Sequence, residues 1–187
     1  MYDVLAISGY RPHEIGVFNE KHDQLPYLKK ALTKKIGQLI EEYDVKWILT
    51  SGQSGVELWS AESCIHLKKM YPHIQLATIA PFHNQEERYA EATKSLYETV
   101  WNESDYCDFI TKRPYDSPAQ LRLKNQFIVD KSDAALILYD EGTEGTPKYF
   151  QEEAVKKQAQ TDYPVFYLTP DDIEEMVRDE INNESWN

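Results

Sequence analysis

Apolar positions along the chain fall into two kinds of run. Short unbroken ones, at Val4–Ile7, Trp47–Thr50, Ile74–Ala80, Ala134–Tyr139 and Val165–Leu168, read as buried strands. Ala134–Tyr139 is apolar throughout, as expected of a strand covered on both faces of a parallel sheet. Tyr106–Thr111 is a thinner sixth candidate. Between these runs, apolar residues recur at helical spacing. Leu25–Tyr43 carries Leu28, Leu32, Ile36, Leu39, Ile40 and Tyr43 on one face. Further helices are expected from Val56 to about Met70, over Glu86–Val100, from Pro118 to about Lys131, and from Pro147 to about Gln160. In the helix after Pro118, Leu121, Leu123, Phe127 and Ile128 read as the apolar side, and Arg122, Lys124, Asn125 and Gln126 as the polar one. Ser117, Thr146 and Thr169 each precede a proline and suit helix N-caps. The last helix, from Pro170, places Ile173, Met176, Val177 and Ile181 on one face, and residues 170–187 end as an acidic tail.

Strand and helix thus alternate about six times. That order predicts an α/β fold: one doubly wound, mostly parallel sheet with helices on both faces. No repeat or linker divides the chain, so residues 1–187 are expected to form a single domain. The formal charge is −12, which argues against a general nucleic-acid-binding surface but leaves room for one small anionic ligand in a local pocket. No apolar run approaches a membrane span, and no basic-then-apolar leader opens the sequence, so a cytoplasmic protein without membrane insertion is expected. Cys64 and Cys107 form no CxxC pair. His13, Glu14 and His22 lack metal-ligand spacing, and no metal site is expected.

Ligands of such folds sit outside the carboxyl ends of the strands. Three loops there combine glycine with hydroxyl residues: Ser8-Gly9-Tyr10-Arg11, Ser51-Gly52-Gln53-Ser54-Gly55, and Asp140 to Thr146 with Gly142 and Gly145. The second passes directly into a helix, whose N-terminal N–H groups and dipole favour an anion. A turn that merely needs glycine explains that stretch alone equally well. Together, the three loops point to a phosphate-bearing ligand. Neither GxGxxG nor GxxxxGK[ST] is present, so this is no dinucleotide fingerprint or P-loop. Arg11 reads either as a solvated loop residue or as an anion clamp. Glu57, in the first turn of its helix, is either helix-end chemistry, a ribose contact or a general acid/base.

The segments SGYRPHEIG, SGQSGVELWSAE, PFHNQEERY, KNQFIVDKSDAALILYDEG and GTPKYFQEEA resemble the YpsA family of Gram-positive bacteria, across nearly the whole chain. That family belongs to the SLOG superfamily, with DprA and the lysine-decarboxylase-like LOG proteins. The resemblance implies a Rossmann-like fold and a pocket for a nucleotide or a nucleotide-derived, ADP-ribose-like ligand. It also implies a link to cell division. The superfamily's Gly-Gly-x-x-Gly loop matches Ser51 to Gly55, with serine for the first glycine. The LOG Pro-Gly-Gly-x-Gly-Thr loop matches Asp140 to Thr146 without its proline and double glycine, and Glu152 or Glu153 would stand in for its helical glutamate. Two readings result. One is a nucleotide sensor acting through a protein partner. The other is a hydrolase of an N-glycosidic or phosphate bond, with Glu57, Glu152 or Glu153 as acid/base. Direct nucleic-acid binding is disfavoured by the charge.

Overall fold

The computed structural model describes residues 1–17 and 21–185. Six strands, β1 (Val4–Gly9), β2 (Trp47–Thr50), β3 (Gln75–Ala80), β4 (Tyr106–Phe109), β5 (Ala134–Leu138) and β6 (Val165–Leu168), form one sheet. Every neighbouring pair is parallel, in the order β4-β3-β2-β1-β5-β6. The helices are α1 (Leu25–Tyr43), α2 (Val56–Leu67), α3 (Glu91–Glu103), α4 (Ala119–Asp130), α5 (Pro147–Gln158) and α6 (Pro170–Glu184). The expected Rossmann-like doubly wound arrangement is thus present, with Tyr106–Phe109 as an edge strand.

Strand residues point alternately to two cores. On one side, Leu5, Ile7, Ile48, Leu76, Leu136 and Leu138 pack under α1, α2 and α3, with Ile173 and Met176 of α6 against the same core. On the other, Ala6, Ala77 and Ala135 are small, and Ile128, Phe150 and Ala154 of α4 and α5 settle on them. Thr169 caps α6 as expected, accepting from the Asp172 N–H at 3.2 Å while the Asp172 carboxylate accepts from the Thr169 N–H at 2.8 Å.

Three local expectations give way to tertiary contacts. The stretch expected as a helix from Glu86 to Val100 breaks in two. A short 3-10 turn covers Gln85–Arg88, Tyr89 and Ala90 are extended, and α3 starts at Glu91. The break turns Tyr89 inward, where its hydroxyl donates to the Gly52 carbonyl at 3.0 Å and accepts from the Ser54 N–H at 3.2 Å. Ser117 does not cap α4. Buried Gln120 reaches back instead, its Oε1 accepting from the Asp116 and Ser117 N–H groups at 2.6 and 3.1 Å. Thr146 flanks α5 without capping it by its side chain, because its hydroxyl is given to Glu14 at 2.8 Å.

The chain steps outward from β1 to β4, then crosses back to place β5 beside β1, with Ile7 opposite Leu136 and Gly9 opposite Leu138. The connections after β1 and β5 depart to opposite faces, which opens a crevice above the carboxyl ends of these two strands.

Candidate functional site

A cavity of about 320 Å³ occupies that crevice. Its walls come from Ser8 near the end of β1, Arg11 after it, Gln53 after β2, Lys124 and Asn125 with Arg122 on α4, and Thr146, Tyr149 and Phe150 at the start of α5. Four of the residues expected from the sequence, Ser8, Arg11, Gln53 and Thr146, are therefore brought together.

The other expected residues serve the frame. A Cβ on Gly9 would lie 2.5 Å from Val56, so this glycine lets α2 sit on β1. Gly52 has φ +73, and a Cβ there would meet the Tyr97 ring at 2.7 Å, on the α3 side of the turn. Gly55, at φ +93, passes against the backbone of Tyr10 and Arg11, and the Val56 N–H at the start of α2 donates to the Tyr10 carbonyl at 3.1 Å. The Ser51 carbonyl accepts from Gln85 Nε2 at 2.9 Å. The central turn is thus knitted by its own neighbours.

Asp140 to Thr146 folds over Tyr10. The Tyr10 hydroxyl donates to the Thr143 carbonyl at 2.7 Å and accepts from the Asp140 N–H at 3.0 Å. The Asp140 carboxylate accepts from the Gly142 N–H at 3.2 Å, and Gly145 leaves room for Glu14 and the Tyr10 ring. Glu14 ties the first loop to this one. Its carboxylate accepts from the Arg11 N–H at 2.8 Å, the Thr146 N–H at 2.6 Å and the Thr146 hydroxyl. The amino-terminal end of α5, a natural place for an anion, is thereby filled by a side chain of the same chain.

Glu57 does not line the cavity. It is 1% exposed, and both carboxylate oxygens accept from the Ser51 hydroxyl at 3.0 Å, with the Ser51 N–H on one of them. Burial pushes its carboxyl up from the usual carboxylate range, while the Lys124 charge and the Ser51 bonds pull it back. Lys124 is 5% exposed, and burial pushes its ammonium down, while Glu57 draws it up and Arg11 pushes it further down. Among the described residues, neither the Lys124 ammonium nor the guanidinium of Arg11 or Arg122 has a hydrogen-bond or ion-pair partner. The Asn125 Oδ1 is buried and unpartnered as well.

Lys124 and Asn125 belong to the side of α4 that the sequence marks as polar. They are buried, whereas Leu123 and Phe127 are exposed at 47% and 36%. A signal existed in the spacing. Leu121, Leu123, Phe127, Ile128 and Val129 cannot share one helical face, so some of them must point outward. Glu152 is exposed and Glu153 pairs with Lys156 at 2.8 Å, and neither lines the cavity. The α5 positions that do, Thr146, Tyr149 and Phe150, follow helical spacing from its start. No cluster of three or more metal-ligating side chains is gathered among the described residues, and no helix among them is long and apolar enough to cross a membrane.

The sequence and fold have known counterparts. The profile of the YpsA family, described as the YspA SLOG family, matches residues 5–173. The UPF0398 protein BH1768 of Halalkalibacterium halodurans is 47% identical over 182 residues, covering 97% of this chain and 96% of that one. The UPF0398 protein YpsA of Bacillus subtilis is 44% identical over 177 residues, covering 95% and 98%. A structure of DNA processing protein A from Helicobacter pylori, described for its single-stranded DNA binding mode, superposes with a TM-score of 0.55 at 16% identity. It covers 88% of this chain, which spans 64% of that protein. At that identity the likeness is one of fold. By profile and by relatives of nearly equal length, the chain belongs to the YpsA family of SLOG proteins.

Proposed function

We propose that the protein is a cytoplasmic binding protein for a nucleotide or nucleotide derivative, held at the crevice between β1 and β5. The observation that carries this reading is the set of three cations on one cavity, Arg11, Arg122 and the buried Lys124, in a chain of net charge −12. Lys124 feels Glu57 only as a nearby charge; burying an ammonium without a hydrogen-bond acceptor is costly, and a ligand anion supplies the missing acceptor. Phe150, Leu121 and Pro118 give the apolar wall that a base or sugar needs, between the polar contacts. A sensor fits this site better than a hydrolase. The buried glutamate is spent on Ser51, and the helical glutamates of α5 face elsewhere.

A second reading comes from the fold neighbour, a protein described as binding single-stranded DNA. Its single-stranded ligand weakens the argument from net charge alone, since a local cation cluster suffices to hold one end of a strand. The test for both is a thermal-shift screen of nucleotides and short oligonucleotides, followed by calorimetry. A ligand that binds only the folded state raises Tm with the logarithm of its concentration. Lys124→Met should weaken any hit by roughly 1.5–3 kcal/mol, the range for hydrogen bonds to charged groups. Unchanged affinity in that variant places the ligand elsewhere and removes the reading.

A further inference from the structure

We infer that the cavity selects a terminal phosphate monoester whose remainder carries a hydrogen-bond donor, and rejects an internal phosphodiester. The shared chemistry is that of a nucleoside 5′-monophosphate and of a 5′-phosphorylated strand end. This rests on the reading of the cavity as a nucleotide site and narrows it.

Charge is the first argument. Arg11, Arg122 and Lys124 face the cavity, with the Glu57 carboxylate beneath it. Three cations against one carboxylate leave two positive charges. Passing the proton from Lys124 to Glu57 neutralises both and leaves the same two, since the guanidiniums do not deprotonate. Glu14 does not line the cavity, so its charge acts on the ligand from outside it. Three neutral donors and the positive end of α5 point at its carboxylate and weaken, without cancelling, its field at the ligand. A phosphate monoester carries close to two negative charges at neutral pH, and a diester carries one.

Space is the second. At about 320 Å³ the cavity lies at the small end of ligand pockets, which run from about 300 to 1,000 Å³. A diester continues from two of its oxygens and needs two exits, whereas a monoester ends inside. The helix terminus that could cradle a second phosphate is held by Glu14, which leaves a pyrophosphate without its usual seat.

The third argument is Asn125. Asn125 lines the cavity beside Lys124, and its Oδ1 is buried without a hydrogen-bond partner. An acceptor there repels phosphate oxygens and requires a donor, such as a sugar hydroxyl or a base N–H.

Calorimetry on the full chain tests this with inorganic phosphate, the four nucleoside 5′-monophosphates, their 3′,5′-cyclic monophosphates and ADP-ribose. A short oligonucleotide is added with and without a 5′-phosphate. The expected result is a monophosphate bound at least about tenfold more tightly than its cyclic form and than ADP-ribose. Inorganic phosphate should bind more weakly than that monophosphate, because it offers Asn125 no sugar or base donor. The 5′-phosphate should raise oligonucleotide affinity if a strand end is the source, and leave it unchanged if a free nucleotide is. Arg122→Ala, at the exposed rim, should shrink the monoester preference with the fold intact. Equal affinity for monoester and cyclic diester overturns the inference and leaves nucleotide binding standing. No binding of any of these probes overturns both.

Discussion

Lys124 is a lysine placed where lysines are rarely found, 5% exposed on α4 without a hydrogen bond among the described residues. The charged groups that act on it are Glu57 from α2 and Arg11 from the loop after β1, with Arg122 elsewhere on the same cavity wall. Burial and Arg11 lower its proton affinity, and Glu57 restores part of it. Ligand affinity should therefore follow a bell. It rises near pH 6, as a monoester takes its second charge. It falls again as pH rises through the Lys124 value, which lies below that of an ordinary lysine. Titration calorimetry across pH 5–10 checks both limbs, and a flat alkaline limb would remove Lys124 from the contact. Replacing the buried pair by neutral near-isosteres, Lys124→Met with Glu57→Gln, should weaken binding no more than Lys124→Met alone, since the second change removes a negative charge near the ligand. The same change should leave the ligand-free Tm at or above that of the parent, by roughly 2–4 °C per kcal/mol recovered. A Tm several degrees lower would show that the pair supports the fold itself.

At the scale of elements, the site depends on how loops are fastened. Tyr89 bonds to Gly52 and Ser54, and Gln85 to Ser51, so the segment before α3 fixes the turn that carries Gln53 into the cavity. Tyr89→Phe keeps the ring and removes both bonds. It should cost about 1–3 kcal/mol in urea unfolding, as buried partners are left unsatisfied, and ligand affinity should fall with the loosened turn. An unchanged unfolding midpoint would mean that water replaces the hydroxyl. The elements themselves were largely legible. Predominantly apolar runs gave five strands, Tyr106–Phe109 showed only as a thin candidate, and three- and four-residue spacing gave α1 to within its observed ends. The Gln85–Arg88 turn was not legible, because its break follows from Tyr89 reaching a turn more than thirty residues away. The loops after β1 and β2 were legible as lying at the strand ends, where Arg11 and Gln53 line the crevice. The α4 wall was not, because Lys124 and Asn125 look like any solvated pair until the helix is seen to present Leu123 and Phe127 outward.

For the whole molecule, the two sheet faces divide labour. The α1, α2 and α3 side holds the larger core, while α4 and α5 rest on alanines, in part through Phe150, which is 2% exposed and also walls the cavity. Phe150→Ala should cost about 3–5 kcal/mol of stability and should also loosen ligand binding. Phe→Ala unfolding that leaves affinity untouched would place the ligand away from this wall.

β1 pairs with β2 on one side and, more than 120 residues later in the chain, with β5 on the other. As the polypeptide leaves the ribosome, β1 to β4 can assemble with α1, α2 and α3 long before β5 exists. The cavity cannot, since α4 and α5 supply Lys124, Asn125, Tyr149 and Phe150. Pairings of such long sequence separation are slow to form. In refolding from urea, helical signal should therefore recover before a fluorescent nucleotide is captured. Until that closure, the emerging chain carries an exposed β1 edge, and any ligand of the cavity has no site to enter.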